Sequence, residues 1–209
     1  MRIAGLPKIP SPGSAFLGAL VVAGALAACV PPRPNVEPIP VPPARIQLQG
    51  FSFVPLNEPG WFIAARSADA VILGKLGPKE DDTWIVMSGT EPVEHYHGRQ
   101  EFLDRIRAKE NRSGNPRFTF QQLDVQPFEG KGTDCAVLHT VLLDHGATKY
   151  SSRSDPMVTY EYSLHCVHPD DATLLVMVAF SYRCYAEDAD PAFVEKARAV
   201  VETLEFSKP

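Results

Sequence analysis

The sequence predicts an α+β domain: an antiparallel β-sheet with helices packed on its faces. Three observations lead there. Runs of β-branched, aromatic and aliphatic residues recur between positions 51 and 183, separated by turn chemistry such as Asn57-Glu58-Pro59-Gly60 and Gly77-Pro78. Two stretches instead repeat their apolar residues at helical spacing, one near Gly98–Lys109 and one after Asp190. The segment His168-Pro169-Asp170-Asp171 joins two long runs as a tight hairpin, which makes them antiparallel neighbours.

The ends of the chain obey different rules, because 10 of its 20 prolines fall in the first 43 of 209 residues. Residues 1–28 read as a secretory signal. Arg2 and Lys8 supply the positive start, and Ala15–Ala28 is an uncharged run of 14 residues. That is long enough for the apolar core of a signal but short of the ~20 residues a membrane-spanning helix needs. The run ends Leu26-Ala27-Ala28-Cys29, which resembles the lipobox of bacterial lipoproteins at all four positions. The resemblance implies a diacylglycerol on the Cys29 thiol, cleavage before Cys29 and acylation of the new amine. Two or three chains, each buried methylene contributing ~0.8 kcal/mol, would hold the protein on a membrane. The competing readings are an uncleaved anchor over Ile9–Val30, whose first turns Pro10, Pro12 and Gly13 spoil, and a plain secreted protein cut after Ala28. Val30 follows the cysteine where an aspartate would retain an enterobacterial lipoprotein at the inner membrane. The expected location is therefore the cell envelope, at the outer membrane and facing the periplasm.

Residues 29–48 read as the lipidated cysteine and a tether. Seven of the thirteen residues 31–43 are proline, so this stretch is expected as extended polyproline II reaching roughly 40 Å. Residues 49–209 form the one globular domain, with 44% apolar and 22% charged residues over the whole chain. Without residues 1–28 the chain keeps 18 Lys+Arg against 25 Asp+Glu, a net charge of −7. An acidic surface excludes nucleic-acid binding through a basic face, and it gains nothing from anionic lipid headgroups. Attachment to the membrane then rests on the lipid at Cys29.

Within the domain, strands are expected at Phe51–Leu56, Trp61–Ala65, Asp69–Leu76 and Thr83–Gly89. A helix follows over Gly98–Lys109, with Phe102, Leu103 and Ile106 as its stripe and Glu101 four residues before Arg105. Strands long enough to be central ones are expected at Arg117–Gln126, Cys135–Asp144, Met157–His168 and Thr173–Arg183. The last helix starts at Asp190 as N-cap, with Pro191 in its first position, and aligns Phe193, Ala197, Val200, Val201 and Leu204. Pairing around the hairpin sets Leu164 opposite Val176 and Tyr162 opposite Val178. Pairing the preceding strand sets Val137 opposite Leu164 and Cys135 opposite Cys166. One face is then apolar throughout. The other mixes Thr140, Thr159, Glu161, Ser163 and His165 with apolar residues, and a helix should cover it only in part.

This element order, the segment Tyr162-Ser163-Leu164-His165-Cys166-Val167-His168-Pro169 leading to Ser181-Tyr182-Arg183, and the final helix resemble the PsbP-like α/β/α sandwich, including DcrB-type periplasmic lipoproteins. The resemblance implies an accessory or scaffolding envelope protein and carries no catalytic residues with it.

In an oxidising compartment the register predicts a Cys135–Cys166 disulfide and a free Cys184. Glu94, His95 and His97 are the candidate metal ligands, since His95 and His97 point the same way along an extended segment. His165, Cys166 and His168 form a second candidate, which a disulfide would exclude. Glu161, Ser163 and His165 share a strand face, but the outer two lie roughly 13 Å apart along it. No nucleophile elbow, phosphate loop, C-x-x-C or dinucleotide fingerprint is present. The expectation is a non-catalytic domain without cofactor that binds another envelope protein. The alternative is a periplasmic module for a metal or small ligand, and a hydrolase with an unrecognised site ranks third.

Overall fold

The computed structural model describes residues 36–111 and 116–209. Residues 1–28, expected as a signal, and Cys29 lie outside the described residues. Of those described, 46% are strand and 15% helix, with two α-helices, so the fold is mainly antiparallel β. The helical layers expected on the sheet thus shrink to one helix on each face.

The strands are β1 (Glu37–Pro38), β2 (Ile46–Leu48), β3 (Phe51–Phe53), β4 (Phe62–Arg66), β5 (Val71–Leu76), β6 (Thr83–Pro92), β7 (Phe118–Phe128), β8 (Cys135–Asp144), β9 (Met157–His168), β10 (Asp171–Cys184) and β11 (Glu205–Phe206). The helices are α1 (Gly98–Asn111), between β6 and β7, and α2 (Phe193–Val201), after β10. Eight strands form one sheet in the order β1-β4-β5-β6-β10-β9-β8-β7, and β11-β3-β2 form a small second one. The order explains the helices. After β6 the chain must reach the far edge, and α1 carries it there. β7 to β10 then return as a meander until β10 pairs with β6. α2 recrosses the opposite face to reach the small sheet.

Residues 36–48, assigned by their prolines to the tether, lie in the same compact unit as the domain. Glu37 and Pro38 pair with Ile63 and Phe62, and Ile46 and Leu48 are buried in β2, which pairs beside β3. The strand β7, expected among central strands, is an edge, which is where Pro127 can sit without breaking a ladder.

The β8–β9 register is the expected one: Cys135 faces Cys166 and Val137 faces Leu164. The β9–β10 register is corrected by two residues. Leu164 faces Val178 rather than Val176, and Tyr162 faces Phe180 rather than Val178. The cause is an irregularity after the turn. Asp171 still pairs with His168, but the next pair is Leu175 with Val167, so β10 carries extra residues there. The slip is even, so every side chain keeps its face. α2 is also corrected at its start. The helix begins at Phe193 with Ala192 as N-cap, and the Asp190 carboxylate accepts from the Ala192 N–H at 2.8 Å in the turn before it.

The apolar face is closed by α2 and the small sheet. Phe180 lies at its centre, its ring 6.0 Å from Trp61, 5.6 Å from Trp84 and 5.9 Å from Phe193. The Cys135–Cys166 disulfide joins β8 to β9 on this face across a Cα separation of 4.1 Å. Cys184 is a free, buried thiol, and burial pushes its pKa up to about 12. His168 ties the layers together. The Asp170 N–H donates to its Nδ1 at 3.1 Å, so Nε2 carries the proton and donates to the carbonyls of Gly50 and Ser207, both at 2.9 Å.

Candidate functional site

The opposite face is covered over half its width. Phe102, Leu103 and Ile106 of α1 pack onto Val125, Ala136, Leu138, Val167 and Leu175, all beneath one end of the meander strands. Towards the other end of the strands the cover stops at the last turn of α1. There the register aligns Ile85, Ser181, Glu161 and Thr140 in one row across β6, β10, β9 and β8. These residues and Glu110 of α1 line a cleft of about 330 Å³. Its far end is closed by Asp144, which accepts two hydrogen bonds from Arg117 at 2.6 Å each and has Arg183 at 3.8 Å.

Over β5 and the first half of β6 this face is open beyond the reach of α1, apart from the Phe62 ring beside Gly74. Ile72, Ile85 and Met87 are 37–39% exposed and Leu76 65%, and Ile72 pairs directly with Met87. Beside them Gly74 gives the Phe62 ring room to lie flat, since a Cβ at Gly74 would meet that ring at 2.8 Å.

The charges of this face are unevenly matched. Glu161 is pushed up to about 7, first by burial and then by the charge of Glu110. Glu110 is itself raised, chiefly by burial. Burial opposes ionisation of Asp144 too, but the Arg117 bonds, the Gly146 N–H and the nearby guanidiniums outweigh it, and its pKa falls. Under α1, Ser163 Oγ lies 3.1 Å from His165 Nε2. Burial first, then the charge of Lys109, lowers His165 to about 3. The contact brings a hydroxyl to an imidazole, but both residues are buried and His165 Nδ1 has no partner. An imidazole that weakly basic, shut away from any substrate, is a poor general base.

Glu94, His95 and His97 sit in an exposed segment at the other end of α1. The two imidazoles meet edge to face with centroids 4.8 Å apart, while Glu94 turns to Arg105 at 3.2 Å. Tyr96 between them is the anchor: its hydroxyl donates to Asp134 at 3.0 Å and its ring lies 5.3 Å from Phe102. A larger cleft of about 560 Å³ runs beside this segment between α1 and Glu91–Glu94. Among the described residues no group of three or more His, Cys, Asp or Glu gathers to hold a metal ion. The second candidate is divided: Cys166 is in the disulfide, and His165 and His168 point to opposite faces of β9.

Sequence reasoning did not single out Glu110, the Arg117–Asp144 pair or the exposed strip on β5 and β6. The strip had a signal, since Val71–Leu73 and Trp84–Met87 are apolar without alternation. Such a run reads as a strand buried on both sides. No protein-family model matches this chain, and no curated protein matches it.

Proposed function

We propose that this chain is a lipid-anchored envelope protein whose domain binds a protein partner across the uncovered half of its sheet. The observation that carries the binding role is the strip Ile72, Ile85 and Met87, apolar and exposed on adjacent strands. Apolar side chains grouped on a flat sheet face mark interaction surfaces. The anchor rests on Leu26-Ala27-Ala28-Cys29, and the outer membrane follows from Val30. One helix on each face of an antiparallel sheet supports reading the fold as a reduced PsbP-like sandwich with an accessory role.

The test has two parts. Cys29→Ser should move the protein from membrane to soluble fractions, and retention in the membrane refutes the anchor. A photo-crosslinker placed at position 85 or 87 in cells should capture one defined partner, whereas one at exposed position 195 on α2 should not. Equal labelling from both positions refutes the docking face.

A further inference from the structure

We propose that the cleft beyond the last turn of α1 binds one hydroxylated organic anion of sugar-acid size, its carboxylate on Arg183 and its hydroxyls over the row Ser181, Glu161 and Thr140. The site goes beyond the docking strip and stands whether or not that strip meets a protein.

Two adjacent rows of the sheet make its floor. In one, Arg183 of β10 stands between Thr83 of β6 and Thr159 of β9. In the next, Ser181 of β10 faces Glu161 of β9, which faces Thr140 of β8. All six line the cleft, and none of their side chains makes a hydrogen bond among the described residues. Polar groups withdrawn from solvent are normally paired, so six neighbours left open together form a floor that suits a polar guest. Arg183 is the sharpest case. Its side chain is 22% exposed, and its one ion pair among the described residues, with Asp144, spans 3.8 Å, too far for a hydrogen bond. Asp144 is committed elsewhere, to Arg117 by two bonds of 2.6 Å and to the Gly146 N–H at 3.0 Å. Arg183 Nε is buried without a partner, and so is the hydroxyl of Thr83 directly across from it. With Nε shut in, Arg183 has its two terminal nitrogens to offer, and these match the two oxygens of a carboxylate.

The rest of the cleft decides what the anion carries. Hydroxyls both donate and accept, so Thr159, Ser181 and Thr140 suit the hydroxyls of a ligand. Ile85, Phe120 and Leu142 give an apolar wall for the C–H face of its ring. The other charged groups facing the cleft are Glu110 from α1, Glu161 from β9, Asp144 from β8 and Arg117 before β7. Neither glutamate forms an ion pair with Arg183 among the described residues, so its charge is left for a guest. Burial raises both glutamates, and a protonated Glu161 donates to a bound oxygen instead of repelling it. A plain fatty acid would leave the hydroxyl row unpaired, and a neutral sugar would leave Arg183 so.

The test uses D-galacturonate as probe on the whole chain, with methyl galactoside and hexanoate as controls. Galacturonate should bind at least about tenfold more tightly than either control, the measure of one charge-assisted bond lost. In saturating galacturonate the carboxyl-carbon NMR titration of Glu161 should move up by about one pH unit, and by linkage the affinity should fall about fivefold from pH 6 to pH 8. Arg183→Gln should weaken binding about tenfold or more and Thr159→Val about threefold, while Glu91→Gln, outside this cleft, leaves it unchanged. A control that binds as tightly as galacturonate, a Glu161 titration that stays put or moves down, or a folded Arg183→Gln chain that binds as before overturns the proposal. The NMR reading is on the unmutated chain, so it decides the matter even if a variant folds poorly.

Discussion

Along β10 the residues Val176, Val178, Phe180 and Tyr182 are all buried against α2, Trp61 and Trp84, whereas their alternates on the other face run from buried Leu175 under α1 to part-exposed Ser181 and Arg183. Both faces belong to one strand with one set of backbone bonds. What differs is cover, and topology sets it. α2 and the small sheet lie over one face, while α1 spans the other only far enough to deliver the chain to the sheet edge. Stability should therefore concentrate on the α2 side, and the freedom to bind on the α1 side. Substitutions on the two sides test that division directly.

The largest effect should come from Phe180→Ala. The ring is fully buried among three aromatic neighbours. Truncation removes its transfer free energy and leaves a cavity, which together cost about 3–5 kcal/mol. Urea unfolding should show this as a lowered midpoint with an unchanged slope. A loss under about 1.5 kcal/mol would mean the α2 face is not the seat of the fold. Next is the disulfide. Replacing Cys135 and Cys166 together by alanine opens a cross-link between residues 31 apart. In the chain-entropy view this costs about 3–4 kcal/mol. Reductant should lower the melting temperature of the parent chain and leave the double variant unmoved, while Cys184→Ala should keep the parent's sensitivity.

How far the sequence discloses this division depends on the kind of interaction. The apolar face was legible because alternation over β8, β9 and β10 fixes which side each residue takes, and the Cys135–Cys166 pair followed from the same register. The β9–β10 offset was not, because the extra residues after Asp171 are a local irregularity that alternation does not record. The pairing of Pro38 with Phe62 was hidden too, since proline reads as a strand breaker and an edge tolerates it. On the open face Thr140, Thr159 and Glu161 were visible as part of a mixed surface. That Glu110 would come to stand over Glu161 depends on where the C-terminus of α1 lands. Periodicity gives that helix its stripe but not its position on the sheet.

The charge on the open face sets a pH signature of about 3 kcal/mol at most. Folded, Glu161 keeps its proton up to about pH 7, while the unfolded chain releases it near 4.5. Between those values the folded state binds more protons, so this group's contribution is lost as pH rises. His165 acts in the opposite sense. It stays neutral down to about pH 3 when folded and takes a proton near 6.5 when unfolded, so its contribution is lost as pH falls. From about pH 4.5 to 6.5 the two slopes oppose each other, each by up to about 1.4 kcal/mol per pH unit. Glu161→Gln removes one slope. Urea unfolding at pH 4.5 and pH 8 should show the variant gaining about 2–3 kcal/mol over the parent between them. Parallel pH profiles would mean that Glu161 ionises in the fold as freely as outside it.

The smallest effect on stability should belong to Met87→Ser, and its smallness is informative. Met87 sits on the same strand as Val86, which is fully buried, but its side chain leaves the opposite face at 39% exposure. Much of its apolar surface already meets water in the folded state, so removing it forfeits little of the ~25 cal/mol per Å² that burial returns. A cost below about 1 kcal/mol is expected, against several for Val86→Ser, where a hydroxyl replaces apolar surface in the sealed core. Partner capture from position 85 should nevertheless fall sharply in the Met87→Ser background. If Met87→Ser instead destabilises as much as Val86→Ser, the strip is part of the core and some segment of the chain already lies over it. If it costs little and capture is unchanged, the partner does not read this strand. Only the combination of a nearly unchanged melting curve with lost capture fits a surface that stability does not require.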